Sequence, residues 1–497
     1  MNAPRPTADA PTSCYETVIG LEVHAQMRTR SKIFCGCSTR FGAEANTQIC
    51  PVCAAFPGVL PVLNREAVTM AIKTGLAIQG QIRLLSEFSR KNYFYPDLPA
   101  GYQISQYELP IVEQGHLLIE SPTERCRKRI GITRIHMEVD AGKSLHTGIQ
   151  GASWVDLNRT GTPLMEIVSE PDLRSAAEAG EYLKKLRALL RYLEVCDGNM
   201  EEGSFRCDAN VSIRLRGDDR LGTRCELKNL NSIRNVMRAI DYEVARQQAR
   251  LEDGERVVQE SRLWDADLNS SRAMRDKEDA HDYRYFPEPD LPPLHLTPAR
   301  IAAIQATLPE LPEAKATRFQ EQYQLSSYDA AVLTASRELA DYFEAVAAHA
   351  ASLGHPNPKA AANWVTVELC GRLNKENREI QDSPLLPESL GKLVAMIQQG
   401  VLSGKMAKEL FETLFTQGGD PQQIVEQQGL QQVTDSATIE KAVEQVLAAH
   451  PDDVAQYRAG KSKVLGFLVG QIMKATQGKA NPALVNQLLQ TKLVQRG

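Results

Sequence analysis

The chain from Tyr15 to about Leu294 alternates apolar and polar residues over short runs. The run YETVIGLEVHAQM is typical, and RIGITRIHMEV and ANVSIRLR follow the same pattern. Clusters rich in Pro, Gly, Asn and Asp, such as YPDLPAGYQ, separate these runs. A period of two residues predicts β-strands with one buried face. We therefore expect an antiparallel sheet in this part of the chain.

Two segments inside this part have helical spacing instead. The first, from Ser175 to Val195, opens on a Ser that can cap a helix and is followed by acidic residues. The second begins at Ser232 and ends at Gly254, a residue type common after helix C-termini. From Arg300 to Leu493 almost the whole sequence has helical spacing. The pattern predicts the α+β class, with a sheet domain followed by helices.

A chain of 497 residues is long enough for several domains. We predict a disordered N-terminus over residues 1–14, which are rich in Pro and Ala. An α+β domain should occupy residues 15–295. A helical linker domain should span residues 296–355 and end at the loop GHPNPKAA, and an all-α tail domain should span residues 356–497.

The composition is that of an ordinary globular protein, with 42% hydrophobic and 24% charged residues and a net charge of -5. No apolar run approaches the ~18 residues needed to span a bilayer. The N-terminal residues also lack the basic and apolar regions of a signal peptide. We therefore expect a cytoplasmic protein with no membrane contact.

The segment from Val454 to Gly497 contains no Asp or Glu, although the chain as a whole is acidic. A basic segment of this kind is typical of a phosphate-binding surface, and it is equally typical of a solvated charged face. Its basic residues are Arg458, Lys461, Lys463, Lys474, Lys479, Lys492 and Arg496.

Four of the ten cysteines form two close pairs, Cys35 with Cys37 and Cys50 with Cys53. Zn²⁺ is held by four thiolates in a tetrahedron, and two pairs joined by a short loop can supply them. The alternative is four separately buried thiols. We predict a zinc knob over residues 35–53, and because four Cys ligands leave no open position, its role should be structural.

Acidic residues and a histidine share strand faces at a period of two. Glu22 and His24 flank Val23, and Glu138 and Asp140 flank Val139. Glu166 lies in the apolar run TPLMEIV, where a carboxylate is costly unless it is paired or bound to a metal. Such a set fits a site for a hard cation such as Mg²⁺. Each residue taken singly also fits an outward position on a half-exposed strand.

The segment Gly142-Lys143-Ser144 looks like the end of a phosphate-binding P-loop, but that loop requires a further Gly where this chain has Met137. The preceding residues have the pattern of a strand, so we exclude a P-loop and leave Lys143 without an assigned role. The chain also lacks the Gly-x-Ser-x-Gly and His-Glu-x-x-His motifs of hydrolases. An amide hydrolase within this chain is therefore not supported.

Longer motifs are more specific than any of these patterns. They are ETVIGLEVHAQ, AFPGVLPVLN, RKNYFYPDLPAGYQISQ, HMEVDAGKS, DLNRTGTPLMEIVSEPDL, MEEGSFRCDANVS, ELKNLNS and DYRYFPEPDLPPL. In these motifs the chain resembles the B-subunit family of the aspartyl/glutamyl-tRNA amidotransferases. The tail GFLVGQIMKATQGKANPALVNQLL resembles the C-terminal, tRNA-contacting domain of that family.

The resemblance implies a catalytic cradle, a helical domain and a helical tail that contacts tRNA. It implies that the chain uses ATP and Mg²⁺ to phosphorylate the side-chain carboxylate of Glu-tRNA(Gln) or Asp-tRNA(Asn). Ammonia would then displace the phosphate. The family's partners are an amidase, the A-subunit, which makes ammonia from glutamine, and a small C-subunit.

The resemblance also implies roles for individual residues. His24, Glu138 and Glu166 would hold Mg²⁺, with Glu22 supporting them or a second cation. The four cysteines match a zinc-binding version of the family. Five further residues would line the cavity: Lys91, Arg206, Glu201, Asp208 and Glu226. Lys91 and Arg206 would meet phosphate groups, or Lys91 would instead help ammonia to pass.

Two other functions remain open at this point. One is a tRNA-binding scaffold without its own catalysis, which the resemblance alone does not exclude. The other is a metal-dependent nuclease, because nucleases also use clustered carboxylates.

Overall fold

The computed structural model describes residues 14–145, 153–274, 283–430, 435–458, 461–462, 464–476 and 480–495. The predicted disordered segment 1–14 therefore lies outside the described residues except for Cys14. The chain divides into two compact units, Met1–Leu311 and Pro312–Gly497. The first is rich in strands and the second is helical, which confirms the α+β class.

The first unit contains the strands. They are β1 (Tyr15–Gln26), β2 (Gln81–Ile82), β3 (Leu85–Ser86), β4 (Ser89–Asn92), β5 (Tyr102–Ser105), β6 (Val112–Glu120), β7 (Arg127–Val139), β8 (Lys143–Leu145), β9 (Trp154–Asp156), β10 (Pro163–Ser169), β11 (Phe205–Leu215), β12 (Cys225–Leu230), β13 (Ser261–Asp265), β14 (Ser270–Ala273), β15 (Phe286–Pro287) and β16 (Leu294–His295). Its helices are α1 (Arg65–Ala77), α2 (Ala176–Tyr192), α3 (Ile233–Glu252) and α4 (Pro298–Gln305).

The two helices predicted within the sheet domain are confirmed as α2 and α3. The side chain of Ser175 accepts a hydrogen bond from the backbone N–H of Glu178, and Ser232 does the same for Asn235. Each serine thus satisfies one of the backbone donors that a helix N-terminus leaves without an intrahelical partner.

Nine of the strands form one sheet in the order β14-β13-β12-β11-β1-β10-β7-β6-β2. Its pairs are antiparallel, as the alternation predicts, except that β12 and β13 run parallel. Shorter strands form a three-stranded sheet, β15-β4-β5, and two ribbons, β16-β3 and β8-β9. Strand β5 contacts β7 of the large sheet.

The main core lies on one face of this sheet. Helices α1, α2 and α3 pack there, and Ile19, Leu21, Val23 and Ala25 of β1 point into that core. Because side chains alternate along a strand, the intervening residues of β1 face the opposite, open side. The open face carries the polar residues described below.

The second unit consists of helices around two separate clusters of buried side chains. One cluster extends from Phe319 to Val425 and the other from Ile439 to Leu493. The loop near residue 355 joins helices of the first cluster, so packing does not divide the chain there.

No described helix is long and apolar enough to cross a membrane. The helices are α5 (Pro312–Tyr323), α6 (Ser327–Leu333), α7 (Arg337–Ser352), α8 (Pro358–Asn363), a π-helix (Trp364–Leu369), α9 (Cys370–Lys375), a 3₁₀ turn (Ile380–Asp382), α10 (Pro387–Gln398), α11 (Gly404–Gln417), α12 (Pro421–Gln428), α13 (Ser436–Ala449), α14 (Pro451–Arg458), α15 (Val464–Ala475) and α16 (Pro482–Gln495).

Candidate active site

Neighbouring strands of the large sheet carry a row of polar side chains on its open face. The register pairs His136 of β7 with Glu166 of β10, and Glu166 with His24 of β1. On the next strand, Arg206 of β11 pairs with His24. Directly opposed residues place their Cβ atoms roughly 4.5–5.5 Å apart. Sheet register therefore assembles this row from four distant segments of the sequence.

Three of the predicted ligands converge at this row. His24 Nε2 lies 3.3 Å from Glu166 Oε2 and 3.7 Å from Glu138 Oε1. One ligand atom from each of the three residues lies within 4.8 Å of the others. Glu138 is 2% exposed and Glu166 is 8% exposed, so both carboxylates are largely removed from water.

This donor set fits a hard divalent cation. Carboxylate oxygens are the protein ligands that Mg²⁺ prefers, and substrate phosphates and water complete its shell. Two buried carboxylates this close repel each other unless positive charge lies between them. The hydroxyl of Ser105 on β5 donates to Glu138 Oε2 at 3.3 Å and so helps to fix that carboxylate.

His136 is part of the cluster and was not predicted from the sequence. Its Nε2 lies 3.3 Å from Glu166 Oε2 and 3.8 Å from Glu138 Oε2. The period of two that paired Glu138 with Asp140 also places His136 on the same face, so the alternation contained the necessary signal.

The charged groups of this cluster shift one another's pKa values. Burial raises the pKa of Glu166, but the two imidazoles outweigh it and hold that pKa well below its ordinary value. Burial lowers the pKa of His136. The charge of Glu166, together with hydrogen bonds to Glu138 and Glu166, outweighs burial and raises the pKa of His136 to about 9. For His24 burial also lowers the pKa, and the same carboxylates raise it overall. A metal must compete with protons for these ligands.

Glu22 lies on the same face of β1, next to the row. Burial raises its pKa, and the neighbouring Glu166 and Glu226 raise it further. The side-chain amide of Asn210 donates to Glu22 Oε1 at 2.9 Å. This carboxylate therefore lies in a region of negative potential that a cation would relieve.

Asp208 and Glu226 are brought to the same face but are paired there. Lys228 Nζ lies 3.0 Å from Asp208 Oδ2 and 2.7 Å from Glu226 Oε1. Burial lowers the pKa of Lys228, and these two carboxylates raise it overall. The lysine thus neutralises part of the negative charge that the sequence concentrates here.

Arg206, the end of the row, is held by a buried carboxylate. Its Nη2 donates to Asp140 Oδ1 at 2.9 Å, and Asp140 also accepts from Gln26 Nε2 at 2.7 Å. Arg159 Nε lies 3.7 Å from Asp140 Oδ2. The guanidinium charge of Arg206, followed by that of Arg159, holds the pKa of this carboxyl below its ordinary value against burial. Asp140 therefore orients Arg206 on the open face.

Lys91 approaches the cluster from the small sheet. It lies on β4, and its Nζ is 4.9 Å from the ring centroid of Tyr283 and 6.0 Å from that of Tyr93. Burial lowers its pKa, but the charge of Glu138 and further anionic neighbours raise it overall. Lys91 is thus a cation within electrostatic reach of the two buried carboxylates.

Two candidate residues lie outside this row. Glu201 is in an exposed turn after α2, where its backbone N–H donates to Asn199 Oδ1. Lys143 is on β8, with its Nζ 5.0 Å from the ring centroid of Phe41. Met137, where a P-loop would require Gly, is fully buried in the core of the sheet.

A cavity of about 490 Å³ adjoins Glu22 on the side away from His24. It has both apolar and hydrogen-bonding walls and follows β1 toward its N-terminal end. Its lining includes Gly20, Glu22, Val168, Asn210, Ser212 and Leu221.

The four cysteines of the predicted knob also converge. One Sγ atom from each lies within 4.8 Å of the others, the distance range that a shared metal requires. These residues are Cys35, Cys37, Cys50 and Cys53.

A fully buried lysine accompanies the thiols. Lys32 Nζ donates to the backbone oxygens of Gln48 at 2.8 Å and Leu157 at 3.3 Å, and it lies 3.4 Å from Cys53 Sγ. A buried ammonium group is costly without an anionic neighbour. A hydrogen bond from Cys35, together with the Lys32 charge, lowers the pKa of Cys53 to about 4. The surroundings therefore favour the thiolate form of Cys53, the form that binds metal, whereas burial and the neighbouring thiols raise the pKa values of Cys35 and Cys37.

Comparisons with known proteins identify the family of the chain. A family model described as the GatB/GatE catalytic domain matches residues 17–302, and one described as the GatB domain matches residues 341–493. Proteins named as the B-subunit of aspartyl/glutamyl-tRNA(Asn/Gln) amidotransferase are 60% identical in Alkalilimnicola ehrlichii and 59% in Halorhodospira halophila. A third, from Nitrosococcus oceani, is 58% identical, and each alignment covers 96% of this chain and 99% of the relative. The chain therefore belongs to the B-subunit family of the aspartyl/glutamyl-tRNA(Asn/Gln) amidotransferases.

Proposed function

We propose that this chain phosphorylates the side-chain carboxylate of Glu-tRNA(Gln), Asp-tRNA(Asn) or both, and completes the amidation with ammonia. The names of its relatives support a tRNA-dependent amidotransferase role. The observation that carries the proposal is the convergence of His24, Glu138 and Glu166, whose carboxylates also raise the pKa of Lys91.

The reaction needs two steps because a carboxylate has no adequate leaving group for attack by ammonia. In the first step a carboxylate oxygen attacks the γ-phosphorus of ATP, and ADP leaves. In the second step ammonia attacks the acyl carbon, and inorganic phosphate leaves with the electron pair of the broken C–O bond. The nitrogen then loses one proton to give the amide.

Phosphoryl transfer depends mainly on positioning and on neutralising charge. His24, Glu138 and Glu166 would hold Mg²⁺, with Glu22 beside them. When bound, that ion would neutralise charge on the transferring phosphoryl group. Lys91 supplies a second positive charge near the two carboxylates. Lys91 therefore reduces repulsion between the anionic substrate carboxylate and the anionic phosphates.

Other residues of the row would meet the remaining phosphate oxygens. Arg206 is oriented by Asp140 and faces the same open side, where a guanidinium can donate to an anionic oxygen. Asp208 and Glu226 fix Lys228 and shape the far end of the site. Glu201 lies in an exposed turn. Its assignment to the cavity therefore stays a prediction.

The cavity beside Glu22 fits the nucleoside part of ATP. Gly20, which lines the cavity, and His24 are four residues apart on one strand, a separation of about 13 Å. That distance is comparable with an extended ATP whose phosphates lie at the cation site and whose base lies in the cavity. Asn210 and Ser212 offer hydrogen-bonding groups along this path, and Val168 offers an apolar wall.

Ammonia would come from a partner. The sequence contains no hydrolase motif that could release it from glutamine. The relatives are named as B-subunits, which indicates a complex of several different chains. We propose the amidase, the A-subunit of such a complex, as the source of ammonia and the small C-subunit as the third member.

The helices α13 to α16, which pack around the buried cluster from Ile439 to Leu493, would contact tRNA. Arg458, Lys461 and Lys474 are exposed there. The charge of Lys492 is instead offset by Glu440 and Glu444, at 2.5 and 2.6 Å. The predicted basic residues 463, 479 and 496 lie outside the described part of the chain. Exposed positive charges in a segment without acids support binding to the phosphate backbone.

The four cysteines would hold a structural Zn²⁺. Four thiolates around Zn²⁺ carry net negative charge, and the buried Lys32 ammonium lies where it would offset that charge. The site would stabilise the loop over residues 35–53 and take no part in the reaction.

Replacing Glu138 tests the catalytic proposal. Glu138→Gln keeps the shape of the side chain but removes its charge, so metal binding and Gln-tRNA formation should fall about 100-fold or more. The assay combines the assembled complex, Glu-tRNA(Gln), glutamine, ATP and Mg²⁺. Glu181→Gln, on a helix of the opposite face, is the control. Unchanged amidation by the Glu138 variant would contradict the assignment of the active site to this cluster.

Filling the cavity tests the position of ATP. A Cβ at Gly20 would lie 3.9 Å from its nearest neighbours, an ordinary contact distance. Gly20→Val would place its methyl groups in the space proposed for the nucleoside, and circular dichroism establishes that the variant is folded. The KM for ATP should rise about tenfold or more, and the KM for Glu-tRNA should stay within about twofold. Thr17→Val, on the other face of β1, is the control. An unchanged KM for ATP would place the nucleoside elsewhere.

Charge reversal tests the tail. The double variant Lys461→Glu/Lys474→Glu should weaken tRNA binding and reduce the slope of log K against log salt by up to about two. Fluorescence anisotropy with labelled tRNA over a salt series measures both quantities. The control, Lys405→Glu/Lys408→Glu, changes the net charge equally but lies on α11. Equal effects of the two variants would exclude a specific tail contact.

Elemental analysis tests the knob. Freshly purified protein should contain about one zinc per chain, and Cys50→Ser should lose it because three thiolates leave the tetrahedron open. Cys126→Ser removes an exposed cysteine and should keep the metal. A zinc content under about 0.5 per chain in the unaltered protein would contradict the prediction.

A further inference from the structure

One carboxylate oxygen in the cluster is shared by two imidazoles. Glu166 Oε2 lies 3.3 Å from His24 Nε2 and also 3.3 Å from His136 Nε2. His24 is one of the proposed metal ligands, whereas His136 approaches the same oxygen from the neighbouring strand. The two histidines thus bracket Glu166 from opposite sides of β10.

The surroundings of His136 restrict it to this contact. Its residue is 4% exposed, and its Nδ1 has no hydrogen-bond partner among the described residues. Its Nε2 approaches only the carboxylates of Glu166, at 3.3 Å, and Glu138, at 3.8 Å, among the ion pairs found in the described part of the chain. A histidine with a merely structural role usually satisfies its nitrogens with nearby backbone or hydroxyl groups. Here the one engaged nitrogen serves the proposed metal ligands.

The backbone at His136 is held firmly. It lies in the ladder between β7 and β10, and the adjacent Ile135 and Met137 are fully buried in the core. The backbone N–H of Met137 donates to Gln106 Oε1 at 3.0 Å. The backbone that carries the imidazole is therefore fixed in the ladder, which limits the groups that the ring can touch.

We propose that His136 is a positioning residue that donates from Nε2 to Glu166 and orients that carboxylate for the metal. The inference rests on the proposed function, because it assumes that Glu166 is a ligand there. Hydrogen bonds from outside the ligand set fix carboxylate ligands in the orientation that a metal requires, and their loss typically weakens metal binding about 10–100-fold. His136 does not itself react with ATP or tRNA.

Two substitutions separate positioning from packing. His136→Gln keeps an N–H donor on a side chain of similar length, whereas His136→Leu keeps the volume and removes the donor. His116→Gln makes the same replacement at a half-buried histidine of β6, away from the row. Circular dichroism and thermal unfolding of the full chain establish that each variant is folded.

The measurement is a titration with Mn²⁺, followed by electron paramagnetic resonance of the free ion. Sites that persist in Glu138→Ala are subtracted, because they lie outside the cluster. His136→Leu should weaken the remaining site about 10–100-fold. His136→Gln should stay within about threefold of the unaltered protein, as should His116→Gln. The Mg²⁺ concentration for half-maximal amidation should rise in the same order, with a smaller change in kcat at saturating Mg²⁺.

The outcomes distinguish this inference from the proposed function. Mn²⁺ affinity in His136→Leu equal to that of the unaltered protein would overturn the role of His136 and leave the metal site in place. Equal losses in the Gln and Leu variants, with both folded, would also overturn it, because packing alone would then explain the effect. If no Mn²⁺ site disappears in Glu138→Ala, the proposed metal site itself fails, and the inference fails with it.

Discussion

The alternation of side chains across one antiparallel sheet is the constraint on which the rest of this structure depends. On β1, residues 19, 21, 23 and 25 anchor the core beneath the helices, and the residues between them face the open side. The same strand therefore supplies both the stability of the fold and the polar groups of the site. A shift of one residue in its register would exchange the two faces, burying the charges and exposing the core.

Burial of charge is the second consequence. The open face collects Glu22, Glu138, Asp140 and Glu166, and each is costly to bury alone. The protein offsets them with Arg206 and with two imidazoles. This balance is adjustable, because a divalent cation can replace the proton on His24, whereas Asp140 and Arg206 form a permanent pair. The part proposed to bind metal is thus the part whose charge can change.

Local features of the site could be predicted from the sequence, and long-range ones could not. Spacing alone placed Glu22 with His24 on one face and grouped the four cysteines. The pairing of His24 with Glu166 depends on strand order, which periodicity does not determine, so that prediction rested on the resemblance to a family. His136 was missed although the alternation places it on the face of Glu138, and Lys32 was missed because lysines are usually exposed. Alternation likewise does not predict that β12 and β13 pair in parallel.

In the helical part, the loop near 355 has the composition of a boundary, yet the helices on both sides share one core.

The central claim is that the substrate carboxylate itself attacks ATP. Glu-tRNA(Gln) labelled with ¹⁸O at both oxygens of the side-chain carboxylate tests this directly, with the assembled complex, glutamine, ATP and Mg²⁺. Mass spectrometry of the released inorganic phosphate follows the label. The account predicts one labelled oxygen in each phosphate released with Gln-tRNA, because the broken C–O bond leaves its oxygen on phosphorus. Formation of Gln-tRNA together with unlabelled phosphate would contradict it.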